Sequence, residues 1–376
     1  MKPIFVWHFL IITSLTKVFT PGTDNAVLIP VSAELLFKGR PGDPRLGEWV
    51  LTKEPPPAPL GDAQNCVFLL GCPDDTGVRL NLGRAGAQLG PQEIRRAFYK
   101  MALPGSDSWK LLRVFDRGNI PISDSIEETH QHALEAASDL AALGGTLILL
   151  GGGHDFAAPG FLGFAKGRLK SHPLEKFGLI NIDPHLDVRP RENGKPHSGT
   201  PFRDILDSGL LEGRHLVQFG CRENRNAESH FEFCQKAGVN LQRLEQLRQN
   251  RKSIPELFKG TLEALCKKVS RVGVSIDLDS CAEVTGTSAA PAIGFSIREL
   301  YEMATIAGTF SQVNYFELAE VAPSLDPTGK TPVAAAEILY SFLNGKTHST
   351  GFADKSSPSK NFRKTLKNIK TKSKTK

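Results

Sequence analysis

Three short segments carry the side chains best suited to chemistry: Gly151-Gly152-Gly153-His154-Asp155, Asp183-Pro184-His185-Leu186-Asp187 and Asp277-Leu278-Asp279. Each follows an apolar run that reads as a buried strand. Side chains alternate along an extended segment, so Asp183, His185 and Asp187 point one way, as do Asp277 and Asp279. With His154, the candidate set is four carboxylates and two imidazoles. Gathering so many acids in one buried place without counter-charge is costly, and they would either protonate or bind cations. Oxygen and imidazole ligands without thiolate suit Mn2+, Fe2+, Ni2+ or Zn2+. Six protein ligands exceed what one catalytic ion with open positions takes. Two ions about 3.5 Å apart, sharing carboxylates, fit the count. Taken singly, each segment is also explained by a glycine-rich turn, an Asp helix cap or loop hydrogen bonds. The three together, each at a strand end, point to a binuclear centre.

The elements that must position these groups can be read from the apolar pattern. Short, unalternating runs recur at 66–71, 146–150, 178–183, 215–219, 272–277 and 313–318, as expected of strands buried on both faces. Helical spacing lies between them, over 91–101, 126–143, 201–208, 227–236, 255–269, 296–310 and 332–343. Strand alternating with helix predicts an α/β fold, a three-layer α-β-α sandwich around a mostly parallel central sheet. In such sheets ligands bind beyond the carboxyl ends of the strands, where all three clusters fall.

The ends of the chain are different in kind. Residues 1–20 contain an apolar stretch from Ile4 to Leu15 behind Lys2. It resembles a signal peptide, but Trp7-His8 interrupts it and no small-x-small cleavage site follows. It is too short to span a membrane. Residues 21–65, with Pro55-Pro56-Pro57, read as an irregular arm, 66–345 as the catalytic domain and 346–376 as a disordered basic tail. The formal net charge of +6 comes from that tail. Nine of the 46 Lys and Arg lie within 355–376, with no Asp or Glu, which leaves 37 basic against 40 acidic side chains elsewhere. The body is mildly acidic, so nucleic acid is not expected as a partner of the catalytic domain. Six cysteines without a CxxC pair read as free thiols of a reducing compartment. The expectation is a cytoplasmic protein, with export as the alternative if residues 1–20 are a signal.

The clusters, together with Ser198-Gly199-Thr200-Pro201-Phe202 and the segments 75–79, 83–91 and 317–323, resemble in order and content the signatures of the ureohydrolase superfamily, which includes arginase, agmatinase and formimidoylglutamase. The resemblance spans about residues 66 to 344. It implies the arginase-like sandwich and two Mn2+ ions per subunit. His154 and Asp187 would be terminal ligands of one ion and His185 and Asp279 of the other, with Asp183 and Asp277 bridging. It further implies a hydrolase acting on C–N bonds of linear amidines, in which the ions lower the pKa of a shared water. Asp187 would pass a proton to the departing amine, and Glu320 would hold the cationic amidinium or guanidinium. A homo-oligomer, trimer or hexamer, is likewise implied.

Within the superfamily, Gly153 stands where arginases and agmatinases usually carry Asp. The Ser198–Phe202 and Ser288-Ala289-Ala290-Pro291 segments are closest to formimidoylglutamase. That branch implies N-formimidoyl-L-glutamate as substrate, cleaved to L-glutamate and formamide. Arg189 and Arg84 are candidates for its two carboxylates, and His197, one residue out of register with the arginase shuttle histidine, is a further candidate substrate contact. The segment Cys281–Thr287 departs from the superfamily's usual Asp-Pro-x-x-Ala-Pro-Gly, and that loop shapes the pocket. Two alternatives stand beside this expectation: a guanidino hydrolase of the agmatinase or arginase type, releasing urea, and a catalytically silent relative serving as an oligomeric binding module.

Overall fold

All eight strands of the single sheet run in the same direction. They are Cys66–Gly71 (β1), Arg113–Asn119 (β2), Thr146–Leu150 (β3), Phe177–Ile182 (β4), Leu216–Cys221 (β5), Asn240–Arg243 (β6), Arg271–Asp277 (β7) and Val313–Ala319 (β8), in the spatial order β2-β1-β3-β8-β7-β4-β5-β6. The computed structural model describes residues 27–55 and 63–349. The expectations for residues 1–20 and for the tail from 350 onward lie outside them.

Alternate residues of each strand enter different cores, as the period of two requires. Val67 and Leu69 belong to one apolar cluster with the helices Gly90–Tyr99, Ile254–Cys266, Ile297–Thr309 and Lys330–Lys346. Phe68 and Leu70 belong to another, with the helices Ile126–Ala142 and Ala157–Ser171. The result is the expected three layers, with a fully parallel sheet in place of a mostly parallel one. The six central strands are those that the apolar runs predicted, to within two residues at each end.

The two edge strands, one long helix and the four short helices Leu46–Trp49, Thr76–Leu80, Asp107–Leu111 and Leu244–Arg248 were not legible. In β2, Arg113, Asp116 and Arg117 interrupt the apolar pattern, and the Asp116 carboxylate is buried because Arg95 grips it through Nε at 2.7 Å and Nη2 at 2.9 Å. β6 is four residues long and has no fully buried residue. The helix Ala157–Ser171 contains Pro159, Gly160, Gly163 and Gly167, poor helix formers. A side chain at Gly167 would collide with the carbonyl of Ser138 in the neighbouring helix Ile126–Ala142, so close packing of the two helices sets the composition there. Segment 27–55 holds the short helix Leu46–Trp49 and attaches to β2 through bridges Ile29–Asn119 and Leu51–Phe115. Among the described residues no helix is long and apolar enough to cross a membrane.

Candidate metal centre

The strands next to one another at the middle of the sheet, β3, β8, β7 and β4, are the ones whose carboxyl ends carry His154, Glu320, the Asp277 pair and the Asp183 trio. Parallel pairing brings those ends level: Ile182 lies beside Ile276, Ile276 beside Leu318, and Leu150 beside Leu318. Four segments far apart in sequence therefore meet over one end of the sheet.

Asp183 and Asp277 are built alike. Oδ1 of Asp183 accepts from the N–H of His185 at 2.7 Å, and Oδ1 of Asp277 accepts from the N–H of Asp279 at 2.6 Å. Each carboxylate caps its own turn with one oxygen and turns the other to the centre. The two inward oxygens lie 3.1 and 3.2 Å from Nδ1 of His154, and Asp187 Oδ2 lies 3.1 Å from the same atom. Donor atoms of His154, Asp183, Asp187 and Asp277 all fall within 4.8 Å of one another. His185 Nδ1 is 3.3 Å from Asp183 Oδ1 and 4.0 Å from Asp279 Oδ2. All six expected side chains are thus brought together.

His154 is held from behind. Its Nε2 is 2.9 Å from Ser275 Oγ, and Ser275 donates to Glu317 Oε2 at 2.9 Å, to which Tyr315 also donates at 3.2 Å. A proton on Nε2 leaves the Nδ1 lone pair facing the acids, the tautomer that a metal ligand needs. Sequence reading gave Ser275 and Glu317 no role, although both are polar residues inside apolar strands, and they lie opposite each other across β7 and β8.

Among the described residues, two of the four non-glycine positions with positive φ are Asp187 (48°) and Glu320 (62°). Such backbone costs on the order of 1–3 kcal/mol and clusters at functional sites. Glu320 is buried; its Oε1 accepts from the N–H of His154 at 2.9 Å, while Oε2 has Ser288 beside it but no hydrogen bond of ordinary geometry. Beneath His154, a side chain at Gly152 would run into the carbonyl of Asp74, which accounts for that glycine in Gly-Gly-Gly-His.

The electrostatics show a centre short of positive charge. Burial, then the charges of Asp279 and Asp183, pushes Asp277 well up. Burial and the neighbouring Asp183 raise Asp187 to about 6. Burial and Asp279 raise Glu320 to about 8. Burial disfavours an imidazolium at His185, yet the hydrogen bond and charge of Asp183 lift it to about 10. So many buried carboxylates together call for positive charge, and the all-oxygen and imidazole donor set fits divalent cations.

A cavity of about 260 Å3 opens over the cluster. Arg84 and Arg189 line it, as does Glu320; His197 does not, being buried with Nδ1 accepting from the N–H of Gly199 at 3.2 Å. Arg84 donates to the carbonyls of Ser288 (3.0 Å) and Thr287 (2.8 Å), fixing the loop that departs from the superfamily pattern. Arg189 donates to Asn81 Oδ1 at 3.1 Å. Ser198 of the Ser198–Phe202 segment also lines the cavity, as do Asn81, Arg225, Asn226 and His230, which were not singled out from sequence. The signal available for the last three was their position just beyond β5, the strand beside β4.

A model of the arginase family matches residues 65–344. The formimidoylglutamase of Nocardia farcinica is 30% identical over 288 residues, 76% of this chain and 88% of that protein. The crystal structure of formimidoylglutamase from Bacillus subtilis superposes with a TM-score of 0.72 at 26% identity, covering 84% of this chain and 95% of that one. Trypanosoma cruzi formiminoglutamase with Mn2+ gives a TM-score of 0.70 at 27% identity over 82% and 99% of the two chains.

Proposed function

The chain belongs to the arginase family, and from that premise we propose that it is a binuclear manganese hydrolase of a linear amidine, N-formimidoyl-L-glutamate, releasing L-glutamate and formamide. The observation that carries this reading is the convergence of six strand-end ligands beside a buried carboxylate, Glu320, with one oxygen left free. The choice of substrate and metal is supported by the relatives named formimidoylglutamase and by the manganese in the trypanosomal protein.

His154 and Asp187 would hold one ion, His185 and Asp279 the other, with Asp183 and Asp277 shared. When bound, the pair supplies Lewis acidity and a water of lowered pKa. Glu320 Oε2 binds the amidinium N–H and orients its planar carbon over the cluster. Water adds to that carbon and the bond to the glutamate nitrogen breaks. Asp187, beside the attacking water, would take up the proton that the water gives up and pass it to the departing amine. His197 is at most an indirect contact, since it stands outside the cavity lining.

The test is a substrate panel on manganese-reconstituted full-length protein. Formamide from N-formimidoyl-L-glutamate is the expected product. Urea from agmatine, arginine or guanidinobutyrate would move the chain to the guanidine branch, and no turnover at full metal loading would support a binding module. We also propose a homo-oligomer, trimer or hexamer, checked by light scattering. A reducing, cytoplasmic location fits six cysteines that are all free and is checked by fractionation.

A further inference from the structure

The cavity that carries the acidic cluster also carries Arg189, Arg225 and His230, from the loops after β4 and β5. These side chains have no part in the amidine chemistry above. Arg225 is half-buried, and its guanidinium makes no hydrogen bond or ion pair with any described residue. Its neighbours are committed: Arg222 meets Glu245 at 3.3 Å and Arg243 meets Glu223 at 2.6 Å. The Arg189 guanidinium finds only the neutral Asn81 amide among the described residues, and its charge, after burial, helps to hold the His230 imidazole below its ordinary pKa. The half-buried Arg225 guanidinium has lost part of its hydration without gaining an anion, which is unfavourable, and an arriving carboxylate corrects it with paired, parallel N–H bonds, with the exposed Arg189 beside it.

The position of Arg225 relative to the metal ligands is fixed by the next residue. Asn226 accepts from the N–H of Leu186 at 2.8 Å and donates to the carbonyls of Pro184 (2.9 Å) and Arg222 (2.8 Å). This amide clamps the loop after β5 to the Asp183–Asp187 segment. Arg225 is therefore carried at a set distance from the reacting centre, as a residue reading the far end of a substrate must be.

We propose that Arg225, together with Arg189, forms an anion subsite that takes the carboxylate end of the substrate and selects anionic amidines over those with a cationic or neutral tail. The subsite rests on the amidine-hydrolase reading for its substrate, but its anion recognition can be measured apart from turnover.

In full-length, manganese-loaded protein, Arg225→Gln is expected to raise KM for N-formimidoyl-L-glutamate about 10- to 100-fold, with kcat changed by no more than about threefold. Arg225→Lys should recover part of the loss, and it serves as the reporter if the glutamine variant fails to fold. Arg298→Gln, which removes a charge that is 87% exposed, should leave both constants unchanged. N-propylformamidine, which has no carboxylate, should lose nothing in either Arg225 variant. Glutarate, an anion without an amidine, should bind the wild-type protein in calorimetry and bind Arg225→Gln at least about tenfold more weakly. If the wild-type protein hydrolyses no amidine, the reading above fails and the glutarate comparison still decides on Arg225. Unchanged KM in Arg225→Gln, or equal glutarate affinity in the two proteins, overturns the subsite and leaves the hydrolase reading standing.

Discussion

The backbone N–H of His154 donates to Oε1 of Glu320 at 2.9 Å, across 166 positions of the chain. The N–H of Glu320 in turn donates to the carbonyl of Gly152 at 2.9 Å. His154, the first of the proposed metal ligands, and the carboxylate proposed to take the amidinium are thereby fixed to each other.

Glu320→Gln keeps an acceptor for the His154 N–H and replaces the free anionic oxygen. We expect kcat/KM for the amidine to fall between about 10- and 100-fold while metal content stays at two ions per subunit. Steady-state kinetics alongside elemental analysis checks this; unchanged kcat/KM would remove Glu320 from substrate binding.

Asp277→Ala and His185→Ala should abolish turnover and lower metal occupancy. Added manganese should raise the Tm of the wild-type protein, because an ion that binds only the folded state stabilises it, and should raise the Tm of Asp277→Ala much less. Normal turnover by Asp277→Ala would count decisively against a shared-ligand centre.

Ser275→Ala removes the partner of His154 Nε2 and one donor to Glu317, without touching a ligand. Manganese affinity is expected to weaken about 10- to 100-fold, read by metal titration with the circular dichroism spectrum unchanged. Equal affinity in both proteins would reduce the Ser275 and Glu317 pair to a packing role.

Lys346 is buried where its Nζ donates to the Val313 carbonyl at 2.9 Å. Burial, then the charge of Arg271, pushes it down to about 7, against an unfolded value of about 10.4. Between these values the unfolded chain holds a proton that the folded chain has lost, so this group makes stability rise with pH from about 7 to 10. Below pH 7 both states are protonated and the cost of the buried charge is fully present. Lys346→Met should therefore stabilise the protein at pH 6 by about 1–3 kcal/mol, with a smaller gain at pH 9. Denaturant melts at both values check it, and lower stability of the variant at pH 6 would contradict the assignment.

What could be read from the chain alone follows from where the physics is local. The six central strands are apolar on both faces, so composition marks them, and the six proposed ligands stand beyond them at a spacing that period-two geometry makes meaningful. β2 escaped because Asp116 is tolerated only through Arg95, a contact between residues 21 apart. The helix Ala157–Ser171 escaped because its glycines answer to the helix beside it. The Arg225 wall escaped for a similar reason: a lone arginine in a loop says nothing until β5 is known to lie beside β4. The placement of Ser275 against Glu317 likewise belongs to strand pairing.

The order β3-β8-β7-β4 at the middle of the sheet also bears on how the protein is made. Because β8, which ends at Ala319, sits between the strand that leads to His154 and the one that leads to Asp277, a chain emerging from the ribosome has no high-affinity place for manganese until nearly all of the sheet has been synthesised and paired. Metal uptake is then a late event, and a truncated or half-assembled chain would neither sequester the ion nor hydrolyse anything.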